Sequence, residues 1–339
     1  MIIDLRSDTL TKPGKAMLDA MFNAEVGDDV WEEDPSLIAL EEKTAKIFGK
    51  ESGLFCTSGI MSNQLAIKVH TRPGDEVVCS RQAHIYNFEG GGIALNSSAS
   101  VRLLEGETGK FTVQQVEENI NPDNVHFPVT SLVSIEDTCN KGGGAYWDFA
   151  EIKKIRELCL EHSISLHLDG ARIFNALTET GMTAADYSSQ FDSVSLCLSK
   201  GLGAPVGSVL VGNKDFIHSA RRFRRAFGGG MRQGGYLAAA AIYALDHNIE
   251  RLKEDHRRAK EIKDILKSHI SVEKILPVET NIIVFKLSGS QTSEEYLEKL
   301  LEKNIKAVSF GPQIVRMVTH LDFTEDMLHE LKKRLPTVV

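Results

Sequence analysis

The sequence predicts an α/β protein with a mostly parallel sheet covered by helices and a smaller C-terminal α+β domain. Three observations lead there. Short apolar runs of strand character alternate with helical stretches through the first two thirds of the 339 residues. Strands separated by helices need crossover connections, which give parallel pairing. From residue 233 to about 268 the pattern turns helical and long. It is first small-residue-rich (YLAAAAIYALDHN) and then charged and amphipathic (IERLKEDHRRAKEIKDILKSH), as expected of a helix passing between domains. Strand and helix patterns then return, so a large domain is expected over 1–248 and a small one over 249–339.

Strands are expected at 52–57, 76–80, 101–104, 132–136, 164–169, 193–199 and 207–211. Helices are expected at 35–48, 60–70, 112–119 and 149–162. The small domain reads as a strand at 281–287 (NIIVFKL), a helix at 293–303, a strand at 314–319 and a final helix from Thr324. No internal repeat and no Ser/Pro/Gly linker interrupts this order.

Composition narrows the function. Apolar residues make up 42% and charged residues 25%, enough for a sizeable core and inconsistent with a disordered or collagenous chain. No apolar run approaches the roughly 20 residues of a membrane span, and MIIDLRSDTLTK has no secretory pattern. A net charge of −8 argues against non-specific nucleic-acid binding. The one basic cluster, Arg221-Arg222-Phe223-Arg224-Arg225, is explained by a small anion, a carboxylate partner or a solvated face. Five widely spaced cysteines (Cys56, Cys79, Cys139, Cys159, Cys197) without a C-x-x-C pair read as free thiols of a reducing cytoplasm, with no metal site.

Ligands of such sheets sit beyond the carboxyl ends of the strands. Two strand ends carry unusual chemistry there: SISLHLDGAR ends in Asp169, followed by Arg172, and DSVSLCLSKGLGAPVG ends in Lys200 before a glycine-rich turn. An Asp after a strand is often only a helix cap and a Lys only solvated, but together they point to pyridoxal phosphate. The amine forms an imine with the cofactor, and the carboxylate keeps its pyridine nitrogen protonated. CTSGIMSNQLAIKVH supplies a phosphate cup, with Ser58 and Gly59 at the turn that opens a helix. RQAHIYNFEGGG offers His84 as the ring-stacking residue, with three glycines that allow close backbone approach. GGGMRQGG suggests a similar approach to a ligand or another chain, with Arg232 at a phosphate or an interface.

These motifs resemble the low-specificity L-threonine aldolases, within the fold-type I pyridoxal-phosphate enzymes. They are DLRSDTLTKP (4–13), GDDVWEEDP (27–35), CTSGIMSNQ (56–64), HIYNFEGGG (84–92), LHLDGARIFNA (166–176), LSKGLGAPVGS (198–208), GGGMRQGGYLAAA (228–240) and VRMVTH (315–320). The resemblance implies roles residue by residue. Lys200 holds the cofactor, Asp169 pairs with the pyridine nitrogen, and Arg172 lies near the ring oxygen and the substrate carboxylate. His84 stacks on the ring, Ser58 and Gly59 bind the phosphate, and Arg232 lies in the phosphate region near a subunit boundary. Ser7 and Arg316 bind the substrate carboxylate, and His126 is a second active-site histidine. The expected assembly is a homo-oligomer, a dimer of dimers. Close chain approach is expected at 228–230 and at the small-residue run 238–241.

The chain departs from the family pattern at Cys139, where His or Met is usual, at Trp31, where Phe or Tyr is usual, and at Glu32, where glycine is usual. The implied reaction is retro-aldol cleavage of L-threonine or L-allo-threonine to glycine and acetaldehyde, with His84, His126 or a water held by them as the base. Alternatives are β-elimination or transamination on the same scaffold. A catalytically inactive binding protein is disfavoured by the presence of both Lys200 and Asp169.

Overall fold

A computed structural model describes residues 1–338. Seven strands form the main sheet in the order Ser52–Cys56, Ser208–Gly212, Ser193–Cys197, Ser165–Gly170, Thr130–Glu136, Glu76–Ser80 and Ser100–Leu104. The last five of these pair in parallel. Ser208–Gly212 runs antiparallel to both of its neighbours. The strands Glu76–Ser80, Ser193–Cys197 and Ser208–Gly212 are buried at every position, because helices cover both faces. Those helices begin where short polar side chains satisfy the first free N–H groups. Asp34 caps Pro35–Ile47, Ser58 caps Gly59–His70, and Asp148 caps Phe149–Glu161.

The C-terminal part is a four-stranded antiparallel sheet in the order Val308–Gly311, Ile314–Val318, Ile282–Leu287 and Val272–Ile275. Its core includes Ala259, Ile262 and Leu266 of the helix Leu252–Lys267, whose first residue belongs to the large core. This is the helix that passes between the two hydrophobic clusters. The chain's first residues, expected with the large domain, pack with the small one. Ile3–Asp4 pairs in parallel with Ile305–Lys306, and Ile3 and Leu5 lie in the small core. We propose the division after residue 248 for the remainder of the chain.

The arginine run lies in the helix Lys214–Ala226. Arg221 pairs with Glu41 at 2.7 Å and Arg224 with Asp29 at 2.6 Å, while Arg222 and Arg225 are exposed. Carboxylate partners therefore account for the two inward arginines. Ala238, Ala240 and Ala241 are buried in their own chain's core, in a helix that packs on Lys15–Phe22 and Pro35–Ile47. A Cβ on Gly229 would stand 2.3 Å from Met61 Sδ of the same chain. At Gly229 and along the alanine run the close approach is made within the chain, whereas a Cβ on Gly228 would meet nothing within 4 Å. The five cysteines are free and buried. Among the described residues, no helix is long and apolar enough to cross a membrane.

Arg224 also donates to the Phe55 carbonyl at 2.8 Å. Arg224→Met would leave that oxygen and Asp29 without their main donor. We expect a loss of about 3–5 kcal/mol in stability by urea unfolding, since breaking one side of a buried pair strands the other. An unchanged midpoint would contradict this account.

Candidate active site

Strand register brings Glu136 beside Asp169, and Asp169 beside Ser195, at the carboxyl edge of the main sheet. Asp169 is buried. Its Oδ1 accepts the Ala171 N–H at 3.2 Å, and its Oδ2 accepts from Asn63 Nδ2 at 3.0 Å. His84 opens the one-turn helix His84–Asn87 beyond the neighbouring strand. Its backbone N–H donates to Glu136 Oε2 at 2.7 Å, and its Nδ1 lies 2.9 Å from Glu89 Oε1. One polar atom each of His84, Glu89 and Asp169 falls within 4.8 Å of the others, so the expected His84 and Asp169 do converge. Burial and the charge of Asp169 push the Glu136 carboxyl up to about 7, against the two backbone N–H groups that it accepts from His84 and Asn140.

Lys200 lies in the turn after the strand Ser193–Cys197. Its carbonyl accepts from Thr11 Oγ1 at 2.9 Å and from the Gly203 N–H at 2.8 Å, which ties the turn down. The side chain is half-buried, and its charge lies close enough to Cys197 to oppose the rise that burial imposes on that thiol. On the other side of that cysteine is Gly59, where a Cβ would stand 2.3 Å from the sulfur. Only glycine permits this approach. The lysine turn and the start of the helix Gly59–His70 therefore meet at Cys197. Ser58 Oγ accepts the Met61 N–H at 3.1 Å, and a helix start leaves further N–H groups without intrahelical partners.

The opposite side of the site is cationic. Arg172, buried, donates from Nε and Nη2 to both oxygens of Asp8, each at 2.7 Å. Ser7 precedes it and accepts from the Thr9 N–H at 3.2 Å. Arg316 projects from Ile314–Val318, a strand paired on both sides rather than at an edge. Its Nη1 donates to Asn140 Oδ1 at 2.8 Å and its Nη2 to the Arg6 carbonyl at 3.0 Å, while its Nε is buried without a partner. The guanidinium lies 4.7 Å over the Phe310 ring. Burial, and then the charge of Arg172, push Arg316 down to about 10; Asp8 opposes this. No carboxylate pairs with Arg316 among the described residues, so the pair of arginines suits an incoming anion.

Two expected residues are exposed and bond none of the groups above. His126 is exposed in the segment that enters the amino end of Thr130–Glu136, whereas Glu136 and Asp169 lie at the carboxyl ends of their strands. Within one chain it does not join His84. Arg232 is about half exposed and pairs with Asp28 at 2.9 Å. The departures also find physical settings. Glu32 has φ +57°, a conformation that favours the family's glycine. Trp31 is 72% exposed. Cys139 is buried, with its thiol 3.1 Å from the Glu136 carbonyl.

Residue patterns alone missed Asp8, Asn63, Gln64, Glu89, Glu136 and Asn140. All six lie in or beside the motifs, but nothing local marks their partners.

The fold is an α/β sheet with a lysine turn and a buried aspartate at its carboxyl edge and an antiparallel second sheet beside it. The chain is a member of the beta-eliminating lyase family, whose profile matches residues 4–289. It is 40% identical over 331 residues to the low specificity L-threonine aldolase of Escherichia coli K12, covering 97% of each chain. The low-specificity L-threonine aldolase of Candida albicans is 39% identical, over 97% of this chain and 88% of that one. The fold matches the threonine aldolase of Leishmania major with a TM-score of 0.84 at 21% identity, covering 98% of this chain and 99% of that one.

The Asp8–Arg172 pair makes a testable claim about pH. Burial raises the Asp8 carboxyl, but the charge and hydrogen bonds of Arg172, with the charge of Lys200, hold it well below its ordinary 3.8. A depressed carboxylate stabilises the fold above the unfolded value and loses that contribution as pH falls below it. Asp8→Asn should therefore lower stability at neutral pH and flatten the acid decline below about pH 4. Parallel acid-unfolding curves for the two proteins would contradict the assignment.

Proposed function

We propose that the protein is a pyridoxal-phosphate-dependent L-threonine aldolase that cleaves L-threonine or L-allo-threonine to glycine and acetaldehyde. The observation that carries this reading is Arg316: a buried guanidinium beside Arg172 with one N–H unpartnered, ready for an amino-acid carboxylate. The reaction follows the names of the full-length relatives.

The residues fit the cofactor. Lys200 supplies the amine and Asp169 the carboxylate for the pyridine nitrogen. Ser58 and Gly59 supply the phosphate turn, which the absence of a Cβ on Gly59 lets pack directly on Cys197 beside the lysine turn. His84 would lie against the ring, Arg172 near its oxygen, and Arg232 near the phosphate at a subunit boundary. When bound, pyridoxal phosphate supplies an electron sink for the pair released as Cα–Cβ breaks. Arg316, Arg172 and Ser7 hold the substrate carboxylate, which restricts rotation about the substrate's N–Cα bond and so selects the bond that breaks. An arginine fork suits that task better than a point-charge ammonium. His84, or a water that it holds, takes the proton of the β-hydroxyl. His126 keeps a role only across an interface between copies, consistent with an assembly that we propose is a dimer of dimers. The proposed location is the cytoplasm.

Incubating the cofactor-loaded protein with L-threonine should give acetaldehyde and glycine in equal amounts. 2-Oxobutyrate with ammonia would instead establish β-elimination. Arg316→Lys should raise KM for threonine about tenfold or more, corresponding to about 1.4 kcal/mol of binding, with cofactor absorbance unchanged. An unaltered KM would remove Arg316 from the carboxylate site.

A further inference from the structure

The FEGGG stretch holds a buried acid that the proposed reaction does not use directly. Glu89 has a fully buried side chain that accepts from two amides, Asn63 Nδ2 at 2.9 Å on Oε1 and Gln64 Nε2 at 2.7 Å on Oε2, and its Oε1 also lies 2.9 Å from His84 Nδ1. The orientations of both amides are set by their other ends. Asn63 Oδ1 lies 3.3 Å from His167 Nε2, and Gln64 Oε1 accepts from Asn96 Nδ2 at 3.2 Å, so each amide turns its NH2 group to Glu89. Gly92 belongs to the same device, because a Cβ there would stand 2.6 Å from the Gln64 amide.

With its other contacts supplied by NH2 donors, Glu89 presents an acceptor to His84. We infer that Glu89 is the positioning residue for His84: it holds the imidazole with its proton on Nδ1 and leaves the lone pair of Nε2 free to accept a proton. This deepens the aldolase reading and rests on it for the identity of that proton, the β-hydroxyl of the substrate. No described residue bonds Nε2. Asn63 extends the device, since the same NH2 group that holds Glu89 also holds Asp169. One amide thereby ties the acid behind the base to the acid proposed for the cofactor nitrogen. The arrangement is the one by which a carboxylate orients a catalytic or metal-binding imidazole in other settings.

The charged groups around His84 are Glu89 from its own loop, Asp169 and Glu136 from the adjoining strand ends, and Lys141, which reaches over the Phe88 ring at 5.5 Å. Burial alone would lower the imidazole's pKa. The Glu89 hydrogen bond, followed by the charges of Asp169, Glu89 and Glu136, outweighs it and leaves the value raised.

The test is Glu89→Gln in the cofactor-loaded protein. The acidic limb of kcat/KM should move to lower pH by about one unit, because the imidazolium loses its carboxylate partner. In addition, kcat should fall about tenfold or more, with cofactor absorbance retained. A structural defect would lower the rate without moving the limb, and an unmoved limb overturns the proposal. Should the variant not fold, imidazole 15N shifts of the unaltered protein decide instead. Above the acidic limb, the signal missing from His84→Asn should report a proton on Nδ1, and a proton on Nε2 overturns the proposal. This readout stands whether or not the protein cleaves threonine, so it separates failure of the positioning claim from failure of the aldolase reading.

Discussion

Three carboxylates, Glu89, Glu136 and Asp169, converge at one end of a sheet, Glu89 and Asp169 buried and Glu136 half-buried, and much of the site's polar architecture accommodates them. They find partners by two routes. Asp169 and Glu89 share the two N–H bonds of a single amide, Asn63. Glu136 accepts two backbone N–H groups and is pushed toward its neutral form. The amide is itself oriented from behind by a row of groups: His70 Nε2 to Ser193 Oγ at 2.8 Å, Ser193 Oγ to His167 Nδ1 at 2.8 Å, and His167 Nε2 to Asn63 Oδ1. Burial pushes His70 down to about 4 and His167 to about 3, so neither imidazole adds a charge at neutral pH. An uncharged row can orient a dipole without neutralising the carboxylates that it serves.

The cationic side complements this. Arg172 is held by Asp8, and Asp8 is near the chain's start, which packs with the small domain. Arg316 comes from the small sheet and reaches Asn140, just beyond the large-sheet strand Thr130–Glu136. The contacts that seat one domain on the other are thus also those that line the proposed carboxylate site. In the proposed function, substrate binding and domain seating share the same guanidiniums.

Much of this was legible in the sequence. The seven large-sheet strands were placed to within a residue or two, because buried parallel strands read as short, uninterrupted apolar runs. Lys200, Asp169, His84, Arg172 and Arg316 stood out through motifs. Asp8, Asn63 and Glu89 did not, although they lie inside quoted motifs, because their meaning depends on partners such as Arg172 and Asp169 that are far away in the chain. The alanine run at 238–241 shows the converse. Small residues mark a close approach, but only packing reveals that the neighbour is the chain's own helix. His126 carries a related lesson, since a motif match sets a residue's type but did not place it beside His84 within this chain. The short pairing of Ile3–Asp4 with Ile305–Lys306 joins the two ends of the chain and leaves no local periodicity to read.

The central claim is that Lys200 is the covalent anchor at the carboxyl edge of the sheet, where the helix start at Gly59 and the acid at Asp169 meet it. Borohydride reduction of the protein loaded with pyridoxal phosphate, followed by peptide mapping, tests it most directly. The account predicts a single pyridoxyl group, carried by the peptide that contains Lys200. A pyridoxyl group on another lysine, or none at all, would contradict it.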